Sequence, residues 1–273
     1  MIAGQEDPHN PRTIDTLPAP PTSPLSETLH DRVAAATVGP HGRLTLPHLI
    51  RLFQEAALRN TDRLGISSHA LSRDLGLTWV LHRQSIQATE WPALGDAVSV
   101  VTLPTFIQRG LITYRDFYLL DAAKRVMACS SSTWSVMDLN SRRIRPIPQR
   151  VTDKLQDLPP AGSGLAVPGE KPAPPESPTA ERTFRVQFAH LDFNNHLTNP
   201  AFPELMLEPL DLPFLSTHLP VRADMIYHRE ARYGDLLTAV TAKAAHSGHF
   251  AHGLYRGEGE LLASMATRWT PIV

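Results

Sequence analysis

Residues 190–202 read HLDFNNHLTNPAF and concentrate polar side chains just ahead of a predicted helix. Asp192, Asn194 and His196 alternate along this stretch, and alternate side chains of an extended chain lie on one face. A carboxylate, an amide and an imidazole on one face can deprotonate a water molecule and donate a hydrogen bond to a developing oxyanion. Taken alone, the same residues more often form a turn that caps a helix. The stretch is therefore interpreted as a catalytic site or a helix cap, and neither role excludes the other.

The helix after this stretch has its own signals. Thr198 or Asn199 can cap it, Pro200 occupies a position that helices tolerate, and AFPELMLEPL supplies an amphipathic pattern. The free N–H groups and the positive dipole end of such a helix favour an oxyanion within reach. The helix would therefore both support the polar stretch and contribute to its chemistry.

An earlier part of the chain repeats this order of elements. Thr45 precedes LPHLIRLFQEAALRNTDRLG, in which apolar residues recur at helical spacing and Gly65 can end the helix. Four strand-like runs follow the helix in each half. Landmark residues recur in the same order, and they pair as Gly95-Asp96 with Gly234-Asp235 and Trp134 with Trp269. We interpret this pattern as a tandem duplication.

A long helix wrapped by a curved antiparallel sheet, occurring twice, predicts a tandem double hotdog fold of the α+β class. We expect two long helices, each wrapped by its own sheet, and edge-to-edge pairing of the two sheets. The first-half loop VGPHGRLTLP places His41 and Arg43 where the second half has Asn194 and His196, and it offers no carboxylate in place of Asp192. We infer one active site per chain, with the first half shaping a cavity.

The domain boundaries follow from composition. Residues 1–27 and 157–179 are rich in Pro, Gly, Ser and Ala and lack apolar periodicity, which predicts a disordered N-terminal tail and a Pro-rich linker. The two hotdog domains then span residues 28–156 and 180–273, and the active site belongs to the second.

Charge and cysteine content exclude several classes of function. A net charge of −1 over 273 residues provides no long-range field that would recruit nucleic acid. No apolar run approaches the roughly 20 residues of a membrane span. The single cysteine, Cys129, excludes an intramolecular disulfide and any multi-cysteine metal site. We expect a cytoplasmic protein without a membrane span.

Six short segments, in order along the chain, resemble the acyl-ACP thioesterase family of plants and bacteria. They are QEAA (54–57), WVLHR (79–83), RDF (115–117), TWSVMDLNSRRI (133–144), LDFNNHLTN (191–199) and YHREA (227–231). The resemblance implies that fatty acyl-ACP is hydrolysed to free fatty acid and holo-ACP, with acyl carrier protein as partner and with neither cofactor nor metal. It leaves two alternatives open, an acyl-CoA thioesterase on the same fold and a non-catalytic acyl-binding protein.

The resemblance also assigns roles at the site. It implies that Glu230, on the next strand, joins Asp192, Asn194 and His196 as a catalytic residue. The family's cysteine after this glutamate is Ala231 here, which cannot be a nucleophile. We expect Glu230 to hold or deprotonate water, although direct attack by a carboxylate through an anhydride remains open.

A basic run in the first half has two interpretations. Arg142, Arg143 and Arg145 form either a solvated loop or part of a docking patch for the acidic carrier protein. Acyl chain-length preference does not follow from the sequence, and the internal pseudo-dimer is compatible with a monomer or a homodimer.

Overall fold

A computed structural model describes residues 17–166, 171–244, 246–257 and 259–272, so most of the predicted N-terminal tail lies outside the described residues. The first half contains β1 (Glu27–Arg32), α1 (Leu46–Arg63), α2 (Ser68–Leu75), β2 (Leu77–Ala88), β3 (Ala97–Gln108), β4 (Ile112–Leu120), β5 (Val126–Asp138), β6 (Ile144–Arg145) and α3 (Gln149–Lys154). The second half contains β7 (Ala180–Arg185), α4 (Ala201–Leu207), α5 (Leu212–Thr217), β8 (His218–Tyr227), β9 (Leu236–Lys243), β10 (His249–Arg256) and β11 (Glu260–Pro271).

The strands of the described residues form one antiparallel sheet, and its order confirms the tandem double hotdog fold. The order is β1-β3-β4-β5-β2-β8-β11-β10-β9-β7, with β6 added to β5. Each half therefore has the same internal order, and the halves meet where β2 pairs with β8. At this junction the Ser85 hydroxyl donates to Asp224 Oδ1 at 2.5 Å. The duplication predicted from the sequence is thus a structural one.

The helix of the first half is the long one that its periodicity predicts. α1 begins after Thr45 and runs for 18 residues, and Gly65 follows it with φ 70°. Its apolar stripe is buried, and the ring of Phe53 stacks on Phe117 of β4 with 4.9 Å between centroids. Burying one such aromatic side chain contributes about 1.5–3 kcal/mol.

The helix of the second half differs from the expected long one. α4 has only 7 residues, and α5 is a separate helix after it. Pro209 lacks a backbone N–H and so cannot continue the hydrogen-bond ladder, and Asp211 starts the next helix by accepting from the N–H of Phe214 at 2.7 Å. Neither Thr198 nor Asn199 caps α4, because Pro200 occupies the N-cap position and no side chain caps there.

The described part of the predicted linker is held against the sheet. Its Leu165 N–H donates to Asp116 Oδ2 at 2.6 Å, and its Pro172 carbonyl accepts from the Ser264 hydroxyl at 2.8 Å. A Cβ at Gly164 would lie 2.9 Å from Asp116 Oδ2, so only glycine fits without a shift. These contacts involve both halves, in contrast to the unfolded tether that composition alone predicts.

The tail before β1 also packs in its described part. Leu25 is buried, and its carbonyl accepts from Asn60 Nδ2 of α1 at 2.8 Å. Among the described residues, no helix is both long and apolar enough to cross a membrane.

Candidate active site

The polar stretch ahead of α4 folds as a tight turn, which corrects the expectation of an extended chain. The N–H of Asp192 donates to the His196 carbonyl at 2.8 Å, and the N–H of Asn195 donates to the Asp192 carbonyl at 3.1 Å. Asn195 has φ 60°, in the left-handed region that asparagine tolerates better than most residues. The side chains of Asp192, Asn194 and His196 are therefore brought together by a turn and not by strand alternation.

Asp192 organises this turn through its carboxylate. Oδ1 accepts from the backbone N–H of Asn194 at 2.8 Å and from that of His196 at 3.2 Å. Oδ2 lies 3.5 Å from the side-chain nitrogen of Asn194. Asp192 thus orients Asn194 and His196 mainly through hydrogen bonds to their backbone N–H groups.

Glu230 comes within reach of His196 because the turn pairs with the segment after β8. The N–H of Leu197 donates to the Ala231 carbonyl at 2.8 Å, and His196 forms an antiparallel bridge with Arg232. As a result His196 Nε2 lies 3.3 Å from Glu230 Oε1. The structure therefore brings together all four residues that the resemblance assigned to catalysis.

Two arginines also contact Glu230, and sequence reasoning assigned neither of them to this site. Arg142 Nη2, from the turn after β5, contacts Oε2, and Arg232 Nη2 lies 3.2 Å from Oε1. The sequence predicts a solvated or docking role for Arg142. No local signal could have located it, because 88 positions separate it from Glu230.

The equivalent loop of the first half has the same backbone geometry without the same side chains. The N–H of Gly39 donates to the Arg43 carbonyl at 3.0 Å, and the N–H of Leu44 donates to the Pro92 carbonyl at 2.9 Å. These bonds match those at Asp192 and Leu197, and they pair the positions as follows: Gly39 with Asp192, His41 with Asn194, Gly42 with Asn195, Arg43 with His196 and Trp91 with Glu230.

The chemistry of the first-half loop follows from these pairs. Both carboxylates of the second half are lost, and the position of Glu230 is taken by the buried Trp91, whose indole N–H donates to the Pro220 carbonyl at 2.9 Å. His41 Nδ1 accepts from the Arg43 N–H at 3.0 Å and so replaces Asp192 in holding the turn. The loop can maintain the fold but has no base at the matching position.

A cavity runs from the second-half turn into the first half. Its lining combines the turn, α1 and the inner side of the first sheet, and the residues are Gln54, Ala57, Leu58, Thr61, Ile66, Ser68, Trp79, Pro104, Thr113, Arg115, Trp134, Leu155, Asp192, Phe193, Asn194 and Asn199. His196 and Glu230 are not among the described residues that line it. Asn194 and Asp192 thus face the cavity, and the His196–Glu230 contact lies beside it.

The RDF segment has a structural role at this cavity. Arg115 is buried and donates to Asn60 Oδ1 at 2.9 Å and to Thr102 Oγ1 at 3.2 Å, and burial lowers its pKa to about 10. Phe117 points to the same side and stacks on Phe53. Asp116 points to the other side, where burial raises the pKa of its carboxyl to about 6.

Cysteine chemistry has no support at the site. Cys129 lies on β5, where burial and then the Asp116 charge raise the pKa of its thiol to about 12, so the thiolate is scarce at neutral pH. Ala231 is fully buried. The described residues contain no group of three or more His, Cys, Asp or Glu that could hold a metal ion.

Two family models match the chain. The acyl-ACP thioesterase N-terminal domain matches residues 31–155, and the acyl-ACP thioesterase C-terminal domain matches residues 174–271. The chloroplastic oleoyl-acyl carrier protein thioesterase 2 of Arabidopsis thaliana is 29% identical over 229 residues, which are 77% of this chain and 60% of that protein. The chloroplastic dodecanoyl-[acyl-carrier-protein] hydrolase of Cinnamomum camphora is 25% identical over 252 residues, which are 86% of this chain and 65% of that protein. The chain spans less than two thirds of the length of either relative.

Solved structures agree on the fold. An acyl-ACP thioesterase from Bacteroides thetaiotaomicron superposes with a TM-score of 0.79 at 22% identity, covering 90% of this chain and 98% of that one. The 12:0-ACP thioesterase from Umbellularia californica gives a TM-score of 0.82 at 18% identity, covering 92% of this chain and all of the other.

Proposed function

Because the chain belongs to the acyl-ACP thioesterase family, we propose that it hydrolyses fatty acyl-ACP thioesters to free fatty acid and the carrier thiol. The observation that carries this proposal is the 3.3 Å approach of Glu230 Oε1 to His196 Nε2 beside a cavity whose lining includes Asn194. The cytoplasmic location stays a prediction, since the two sequence relatives named above, from Arabidopsis thaliana and Cinnamomum camphora, are chloroplastic.

In the proposed mechanism, water attacks the thioester carbonyl. Glu230 holds or deprotonates this water, and His196 carries the proton to the leaving thiolate sulfur. The Asn194 amide donates to the carbonyl oxygen as it becomes negative. The contacts of Asp192 with the backbone of the turn support its role in orienting both side chains. No cofactor or metal enters these steps.

The acyl chain is proposed to occupy the cavity between α1 and the first sheet. This assignment is supported by the apolar lining that Ala57, Leu58 and Ile66 provide next to the turn. In this proposal the second half supplies the catalytic turn and the first half supplies the acyl-binding site.

The carrier protein is proposed to dock beside the turn after β5. Arg143 and Arg145 are exposed there, and the neighbouring Arg142 contacts Glu230. A carrier protein bound to these arginines would place its thioester-linked acyl group next to the carboxylate of Glu230. Charge reversal by Arg143→Glu and Arg145→Glu is expected to raise KM for acyl-ACP without changing kcat. An unchanged KM would contradict this docking surface.

The hydrolase itself is tested with acyl-ACP and acyl-CoA that carry the same acyl chain, over a panel of chain lengths. Glu230→Ala and His196→Ala are each expected to lower kcat by about 10²–10⁴-fold. Glu181→Ala, an exposed glutamate on β7, is the matched control. A wild type with the same background rate as both variants would indicate a non-catalytic acyl-binding protein, and faster turnover of acyl-CoA would indicate the alternative substrate.

The water mechanism is tested by a single turnover in ¹⁸O-labelled water. Direct attack of water leaves the label in the fatty acid and none in the enzyme. Label in the carboxylate of Glu230 or Asp192 would instead indicate an anhydride intermediate.

A further inference from the structure

An arginine of the first half reaches the carboxylate of the second half. Arg142 lies in the turn between β5 and β6, and its Nη2 contacts Oε2 of Glu230. The other oxygen, Oε1, is the one that lies 3.3 Å from His196 Nε2. The carboxylate therefore connects a guanidinium group and an imidazole across the junction of the two halves.

The turn that carries Arg142 is held by its own hydrogen bonds. The Asp138 carbonyl accepts from the Arg142 N–H at 2.9 Å, and Asp138 Oδ1 accepts from the backbone N–H groups of Asn140 at 3.0 Å and Ser141 at 2.8 Å. The turn is also tied to the end of α2, because the N–H of Leu139 donates to the Gly76 carbonyl at 2.9 Å. The position of the Arg142 backbone is thus well defined.

The backbone of Arg142 adopts a left-handed conformation. Its φ is 59°, in the left-handed region that glycine adopts without strain. Arg109 and Lys124 share this conformation in other turns, so it assigns no role to the side chain by itself, and the contact with Glu230 carries the argument.

Solvent exposure limits what this contact can do for stability. Arg142 is 41% exposed and Glu230 is 30% exposed, so water screens the ion pair and its contribution to the free energy of unfolding is small. A guanidinium can still fix the orientation of a carboxylate, because charge-assisted hydrogen bonds are directional. The effect of Arg142 is therefore expected in activity and not in stability.

We propose that Arg142 is a positioning residue, which holds Glu230 with Oε1 toward His196, so that hydrolysis needs a side chain from each half. This inference rests on the proposed hydrolase function. Arg232, which lies 3.2 Å from Oε1, comes from the same half as Glu230 and cannot supply this connection.

The test compares Arg142→Ala and Arg142→Lys with the wild type on two substrates that share an acyl chain, acyl-ACP and the small acyl-N-acetylcysteamine thioester. Arg142→Ala is expected to lower kcat about 10- to 100-fold on both substrates, as expected for a misplaced catalytic group. Arg142→Lys is expected to restore part of kcat. Millimolar guanidinium chloride, far below denaturing concentrations, is expected to restore activity to Arg142→Ala.

The matched control is Arg109→Ala. Arg109 is also an exposed arginine with positive φ, 50°, in a turn between two strands, and it is expected to keep the wild-type kcat. The proposal is overturned if Arg142→Ala keeps the wild-type kcat on the small thioester, including the case in which only KM for acyl-ACP rises. It is also overturned if kcat falls and neither lysine nor guanidinium restores any of it. If the wild type is inactive on both substrates, the proposed hydrolase function itself is contradicted.

Discussion

The buried carboxyl of Asp116 makes the stability of the fold depend on pH. The side chain is 1% exposed, and burial raises its pKa from the ordinary 3.8 to about 6. The Leu165 N–H, which donates to Oδ2 at 2.6 Å, and the charge of Arg115 offset this increase in the pKa only in part. Asp116→Asn keeps an oxygen that can accept from Leu165 and never ionises, so it isolates the effect of the charge.

The sign of the change in stability with pH depends on whether the folded or the unfolded state releases the Asp116 proton first. Below pH 3.8 both states hold the proton, and as the pH rises the unfolded state releases it first, while the folded state holds it to about pH 6. Stability is therefore lost across this window and stays lower above it. With about 1.36 kcal/mol per pKa unit, the loss amounts to about 1 kcal/mol at pH 4.5 and about 3 kcal/mol at pH 7.5.

The assay is urea unfolding of wild type and Asp116→Asn at pH 4.5 and pH 7.5. We expect the variant to be more stable at both values, with an advantage that grows by about 2 kcal/mol between them. Asp157→Asn, an exposed aspartate in the linker, is the control and should show no such growth. An advantage that does not change with pH, or a variant less stable at pH 7.5, would refute the reasoning.

Three further outcomes follow from the structure. Asp192→Asn should retain more kcat than Asp192→Ala, because an amide oxygen can still accept the two backbone N–H groups of the turn; equal loss in both would point to a reacting carboxylate. Phe53→Ala should lower the free energy of unfolding by about 3–5 kcal/mol in urea titration, since a buried ring stacked on Phe117 is lost. Cys129→Ala should leave kcat unchanged in the thioester assay, because the thiol is buried and protonated. A variant that folds but has lost activity would contradict this prediction.

Part of the candidate site could be predicted from local features of the sequence. Because the two halves share a pattern of helix and strands, the sequence already shows that the first-half loop lacks the carboxylates of the second-half loop. In the structure, the two loops have matching backbone hydrogen bonds. Glu230 was found through the resemblance alone, because nothing near it in the sequence connects it to His196. The prediction that Asp192, Asn194 and His196 share one face of an extended chain was wrong, because the chain forms a turn in which Asn195 has a positive φ.

The sequence by itself determined the duplication, the long helix α1 and the candidates Asp192, Asn194 and His196, because hydrophobic periodicity and short motifs are properties of neighbouring positions. Glu230 became a candidate only through the family resemblance. Only the tertiary structure decided that Arg142 contacts Glu230 and that Leu165 of the linker donates to the buried Asp116. Both contacts join residues far apart in the chain, and they form only after β2 and β8 have joined the two halves and the linker has packed on the sheet. Their chemistry depends on burial and orientation, which composition and spacing do not contain.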